Sequence, residues 1–379
     1  MRTALLVELS TVDDADQDRG LLRRLHLDGP LLLGLMAAAL LGLVVLYSAG
    51  RQNPDMLVRQ GIRLGLGFVA MVVMAQLPPH FLRRWAPWIY LGGLGMLIAV
   101  LAVGEVGKGA QRWLDLGVVR FQPSEIMKVA VPMMMGWYFA DKPLPPNLRA
   151  IAISSLITVI PVGLILKQPD LGTALLVGSS GGFALFLAGL SWRIMLGLGG
   201  AGLVAAPLFW SFGMRDYQRQ RVLTFLDPES DPLGSGWNII QSKIAIGSGG
   251  LYGKGWLNGT QSHLDFLPEG STDFIFAVFA EEFGLIGLGM LLGLYFFIIA
   301  RSLFMAVQAP NTFSRVLAGS LALIFFVYVF VNAGMVSGIL PVVGLPLPLI
   351  SYGGTSIVTI MAGFGMLMGI HSHPRPLSR

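Results

Sequence analysis

Cysteine is absent from the 379 residues, which excludes disulfides, thiolate metal sites and cysteine nucleophiles. Charge is scarce. Asp, Glu, Lys and Arg make up 12% of the chain, where soluble domains run near ~25%. So few charges cannot cover a water-facing surface without leaving large apolar patches. A soluble enzyme, a disordered chain and a nucleic-acid-binding domain are excluded together. Histidine is also rare, at five. Only His263 falls on the expected outer side, too few for a His-ligated zinc site. No Walker or Rossmann loop and no nucleophile elbow occurs.

What remains is grease. Hydrophobic residues are 54% of the chain and mean hydropathy is +0.69. A spanning helix needs about 20 mostly apolar residues. Such runs lie at 31–49, 61–77, 85–104, 123–140, 149–166, 171–189, 192–212, 273–300, 314–337 and 351–371. The expected fold is all-α, a polytopic membrane protein of about ten helices. Its parts are a polar amino-terminal tail (1–30), one transmembrane domain (31–371) and a short carboxy-terminal tail (372–379). A loop of 60 residues (213–272) separates helices seven and eight, too long for an idle connection.

An even number of helices puts both termini on one side. With the amino terminus inside, Lys and Arg of the short segments favour the inner side by thirteen to eight, so both tails are expected in the cytoplasm. Of the fifteen acids beyond the tail, only Asp141 lies inward. Acids near spans tend to mark function, so any chemistry faces outward.

Five segments carry chemistry. In Phe121-Gln-Pro-Ser-Glu-Ile-Met-Lys128, Pro123 suits a helix start, and Glu125 and Lys128 share one face. They form either a helix-gluing ion pair or the wall of a polar cavity. Lys167-Gln-Pro-Asp-Leu-Gly-Thr173 is a tight turn in which Asp170 can cap the next helix. In the long loop, Arg215, Arg219 and Arg221 lie on a basic helical stretch. It rests on anionic headgroups or holds a pyrophosphate. Beyond it come an amphipathic stretch, Gly236–Lys243, and a glycine-rich one, Gly247–Gly255, expected to be flexible.

Fourth is Leu267-Pro-Glu-Gly-Ser-Thr-Asp-Phe-Ile-Phe276, followed by Glu281 and Glu282. Thr272 or Ser271 can cap the helix that begins there. Asp273 is then either a first-turn acid favoured by the helix dipole or a general base in an apolar setting. Fifth is the proline-rich run 340–350, with Ser351 or Ser356 as cap of the last helix.

Taken together, the five segments resemble the SEDS family (shape, elongation, division and sporulation proteins) along residues 31–371. Lys167-Gln-Pro-Asp-Leu-Gly-Thr-Ala-Leu, Gln241-Ser-Lys-Ile-Ala-Ile-Gly-Ser-Gly-Gly, Phe266-Leu-Pro-Glu and Thr272-Asp-Phe-Ile-Phe-Ala-Val are similar to its rod-shape branch. The resemblance implies a peptidoglycan glycosyltransferase of the bacterial cytoplasmic membrane. It would polymerise lipid II into glycan on the outer face, releasing undecaprenyl pyrophosphate with inversion. Membrane lipids would surround it, and a class B penicillin-binding protein, a transpeptidase, would be its partner. The family's essential loop aspartate maps to Asp273 and its cavity residues to Glu125, Lys128 and Asp170. Lys167, Gln241 and Lys243, inside the matching motifs, join them as substrate-cavity residues. Positive charge at the leaving group would come from Lys128, the loop arginines or a divalent cation such as Mg2+ or Mn2+. The alternatives are a lipid II flippase and a scaffold for the transpeptidase. Sidedness of the acids disfavours the first, and the intramembrane Glu125–Lys128 pair disfavours the second.

Overall fold

The computed structural model of the chain describes residues 20–107, 110–115, 120–214, 216–230, 235–263 and 266–373. Among the described residues the fold is helical, apart from one small sheet. A short helix, α1 (Leu21–Arg24), precedes α2 (Gly29–Ala49), α3 (Pro54–Ala75) and α4 (Pro79–Val103). Strands β1 (Glu105–Gly107), β2 (Ala110–Asp115) and β3 (Arg120–Phe121) follow. Then come α5 (Pro123–Phe139), α6 (Leu148–Lys167), α7 (Leu171–Leu187) and α8 (Trp192–Leu208), the last ending in a π turn, Phe209–Gly213. The long loop holds α9 (Asp216–Leu226), a 3-10 turn (Pro228–Ser230), α10 (Ser235–Gly249) and α11 (Thr260–His263). Three long helices close the chain: α12 (Ile275–Val307), α13 (Thr312–Val336) and α14 (Thr355–Ser372).

A helix lies at each of the ten expected apolar runs. Seven of them (α2, α3, α4, α6, α12, α13 and α14) are long and apolar enough to cross a membrane. α5, α7 and α8 are 17 residues each, at the lower limit for spanning. Their starts are written in the sequence. Asp28, Asn53, Asn147, Asp170 and Asn311 each accept a backbone N–H of the first turn, satisfying donors that hydrocarbon would leave bare.

α13 is the central post. It packs against α12, α7, α5 and α14, while α14 lies along α3 and α12 along α2. Faces turned away from these contacts stay apolar, as at Leu33, Leu40, Val69 and Phe296. In water such exposure would be a liability, but next to lipid it is the expected solvent-facing composition.

Four local expectations are corrected. The antiparallel sheet β1–β2–β3 was not expected. Its strands are too short for alternation to register against the flanking apolar runs. Neither Thr272 nor Ser271 caps α12, whose N-cap is Phe274; Thr272 Oγ1 instead donates to Glu269 Oε2 at 2.6 Å. Neither Ser351 nor Ser356 caps α14, and Ser351 Oγ bridges Leu347 N and Thr272 O. Finally, the glycine-rich stretch is not loose. Its backbone fills a break in α12 at Gly284 (φ 65°): Lys254 N donates to Glu281 O, Gly255 N to Glu282 O, and Leu285 N to Gly250 O, each at 3.0 Å.

Of the polar amino-terminal tail, residues 20–30 are docked on the bundle. Asp28 caps α2 and holds Arg301 of α12 at 2.6 and 3.1 Å.

Candidate functional site

Four segments distant in sequence meet around a cavity of about 240 Å³. Glu125 and Lys128 enter from the first turns of α5, Asp170 from the start of α7, and Asp273 from the turn before α12. Gly344–Pro346 and Tyr352–Ser356, from the segment before α14, complete the wall.

Glu125 and Lys128 are both buried and sit one turn apart, with Lys128 Nζ 2.6 Å from Glu125 Oε1. Lys128 Nζ also donates to Tyr328 Oη on α13. The ion pair and the cavity wall, rival readings of the sequence, are thus the same residues. One carboxylate oxygen satisfies the lysine, while Glu125 Oε2 has no hydrogen-bond partner. A buried open acceptor is costly unless a donor arrives, so this oxygen is suited to a hydroxyl of a bound ligand.

Asp170 does cap its helix: Oδ1 accepts Thr173 N at 3.1 Å, and Oδ2 accepts Thr173 Oγ1 and Gln122 Nε2 at 2.9 and 2.8 Å. The Gln122 bond ties the start of α5 to the start of α7. Next to it, Arg112 of β2 donates to the carbonyls of Gln168 and Pro169. The sheet therefore delivers a guanidinium to the cavity.

Asp273 is held by its backbone. Asn332 Nδ2 donates to Asp273 O at 2.8 Å and to Leu345 O at 2.7 Å. Ser351 Oγ donates to Thr272 O at 2.6 Å, and Tyr352 N to Ser271 O at 2.9 Å. Three anchors on consecutive residues fix where the Asp273 carboxylate stands, half-buried in the wall. On the far side Tyr352 is stacked under Arg63 (4.5 Å to the ring centre) and accepts from Arg59 Nε at 3.3 Å.

Not every expected site residue comes to the cavity. Lys167 is exposed at the end of α6, Gln241 is buried within α10, and Lys243 lies against Gly338. None of the three lines the cavity. Arg219 donates to the carbonyls of Trp210 and Ser211, and Arg221 to that of Val342. Arg215 lies outside the described residues. Conversely, Arg112, Gln122, Glu269, Tyr328 and Tyr352 line the cavity without having been singled out in the sequence.

Among the described residues no three His, Asp or Glu side chains are grouped to share a metal ion. Asp170 is committed to its cap and Glu125 to Lys128. The cationic groups on the cavity wall are Lys128 and Arg112.

A second feature adjoins the first. Lys128 and Tyr328 also border an apolar groove lined by Leu321, Phe325, Phe364 and Leu367. The Lys128 and Tyr328 side chains thus stand between the polar chamber and a small apolar cleft among α5, α13 and α14.

Fold and cavity together define a multi-pass membrane protein with a charged chamber at one end of its bundle. The chain belongs to the FtsW/RodA/SpoVE family of cell cycle proteins, whose model matches residues 30–376. It is 56% identical over 358 residues to the peptidoglycan glycosyltransferase MrdB of Escherichia coli, covering 94% of this chain and 96% of that one. It is 38% identical to a probable peptidoglycan glycosyltransferase FtsW of Trichlorobacter lovleyi, over 90% and 92% of the two chains. Among solved structures it is similar to the rod shape determining protein RodA of Thermus thermophilus (TM-score 0.69, 32% identity, 91% and 96% covered). It is also similar to a chain from a peptidoglycan synthase complex that coordinates polymerization and crosslinking (TM-score 0.78, 34% identity, 91% and 97% covered).

Proposed function

We propose that this chain is a peptidoglycan glycosyltransferase that polymerises lipid II into glycan strands for cell elongation and rod shape. A class B penicillin-binding protein crosslinks the product beside it. The observation that carries this reading is one chamber holding Asp273, Glu125, Lys128 and Asp170, with apolar side chains behind Lys128 and Tyr328. A charged chamber inside an apolar bundle suits a substrate with a sugar-pyrophosphate head and an isoprenoid tail that stays in lipid.

The reaction follows from the groups present. Asp273 takes the proton of the acceptor sugar 4-hydroxyl, as a general base does with an effect of about 10²–10⁴ in rate. The freed oxygen attacks the anomeric carbon of the donor. The bond from that carbon to the pyrophosphate oxygen breaks, and undecaprenyl pyrophosphate leaves with the electron pair. Attack opposite the leaving group turns an α linkage into a β linkage. Lys128 and Arg112 supply positive charge where negative charge develops on the pyrophosphate. Glu125 Oε2 accepts from a sugar hydroxyl, and Asp170 keeps α5 and α7 in register at the chamber wall.

The flippase reading needs a polar path to the opposite face. Beyond Lys128 and Tyr328 the lining is mainly aliphatic and aromatic, which disfavours passage of a disaccharide peptide. The cationic residues of the short segments favour cytoplasmic termini and an outward chamber. Purified protein with its penicillin-binding partner, the partner's transpeptidase serine disabled, will make polymer from lipid II. A folded complex that makes none but moves lipid II across liposomes would replace the enzyme reading with the flippase.

A further inference from the structure

A second polar cavity, of about 640 Å³, lies at the other end of the bundle. α12 begins beside Asp273 and reaches this cavity at Arg301, on the order of 40 Å along the helix. α14 begins at Thr355 in the wall of the first chamber and reaches the second at His371 and Ser372. The two cavities therefore face opposite membrane surfaces.

The walls come from three parts of the chain. Arg23, His26 and Asp28 belong to the segment before α2, Arg301 to α12, and His371 and Ser372 to the end of α14. They are locked together. Arg301 grips Asp28 with two hydrogen bonds. His26 Nδ1 lies 3.1 Å from Ser372 Oγ, and the His26 ring stacks on His373 with centroids 4.1 Å apart. Leu22, Leu27 and Met368 give the cavity an apolar side.

Its charge balance is positive. Two guanidiniums and two imidazoles face one carboxylate, and that carboxylate is engaged by Arg301. Arg23 and His371 line the cavity outside the Arg301–Asp28 and His26–Ser372 contacts and can meet a ligand. Guanidinium and imidazole N–H groups suit phosphate oxygens. Basic pockets between membrane helices at the interface are where anionic headgroups bind. The volume fits a small molecule, and the apolar side suits the first carbons of acyl chains.

We infer that this cavity binds the phosphate of an anionic phospholipid headgroup, on the membrane face opposite the Asp273 chamber. The site is separate from the chemistry and does not depend on it.

The test is native mass spectrometry of the full chain in detergent, titrated with phosphatidylglycerol or with phosphatidylcholine. Wild type will retain phosphatidylglycerol preferentially. Arg23→Ser with His371→Ala will lower that retention about tenfold, the effect of one or two lost charged contacts. Arg23→Ser alone, at an exposed position, will lower it in part and keeps the test open if the double variant unfolds. Displacement of the lipid by inorganic phosphate at millimolar concentration would support the site and make soluble phosphate its source. Equal retention of both lipids, or retention by folded variants matching wild type, would overturn the inference.

Discussion

Lys128 Nζ lies 2.6 Å from Glu125 Oε1, one helical turn away, and both side chains are 5% exposed. Each charge makes the other tolerable in a region where neither could stand alone. Lys128→Met should therefore cost about 3–5 kcal/mol by stranding Glu125. Adding Glu125→Gln should recover much of that loss. Thermal unfolding of both singles and the double checks it, and additive losses would contradict the coupling.

Asp170 binds Thr173 twice and Gln122 once. Asp170→Ala removes a helix cap worth about 1 kcal/mol and releases α5 from α7. The expected outcome is lower stability together with a loss of polymerisation greater than the melting shift explains. Gln122→Ala should reproduce the activity loss in part and leave the cap intact. Unaltered activity in both variants would restrict Asp170 to capping.

Gly284 has φ 65° and ψ −165° inside α12, and a Cβ there would come within 2.7 Å of Leu251 O. Only glycine reaches this conformation cheaply. Gly284→Ala should destabilise by at least about 1–3 kcal/mol and disturb the loop that runs toward Asp273. A wild-type melting temperature for that variant would show that the break in α12 is not required.

Burial pushes the Asp28 carboxyl upward, but the hydrogen bond from Arg301, the Leu31 N–H and the Arg301 charge outweigh it and hold it below its ordinary value of 3.8. A folded value below the unfolded one means stability that is present above pH ~4 and fades as pH falls through the folded value. The stability gap between wild type and Asp28→Asn should accordingly be open at neutral pH and close on acidification below pH ~4. A gap that widens with acid would reverse the sign.

The helices were legible because hydrocarbon allows little else: apolar runs bounded by Asx caps and prolines gave ten positions, and a helix stands at each. Glu125, Lys128, Asp170 and Asp273 were legible because charge inside a membrane protein is rare enough to be conspicuous. Tyr328 was not. It sits in Phe325-Phe-Val-Tyr-Val-Phe330, where one hydroxyl looks like ordinary core, and only the packing of α13 on α5 brings it to Lys128. Arg112 was hidden similarly, since its position depends on a sheet too short to read. Lys167 and Lys243 were the opposite case: a shared motif placed them near the site in sequence, but the helices carry their side chains elsewhere.

The central claim is that Asp273 is the base of a glycan-polymerising chamber. The most direct measurement is glycan polymerisation from lipid II by the purified chain with its penicillin-binding partner, comparing wild type with Asp273→Ala. The backbone of Asp273 is anchored by Asn332, so the variant should fold and bind the partner, with its melting curve as the check, yet make no polymer. Substantial polymer from folded Asp273→Ala would contradict the account.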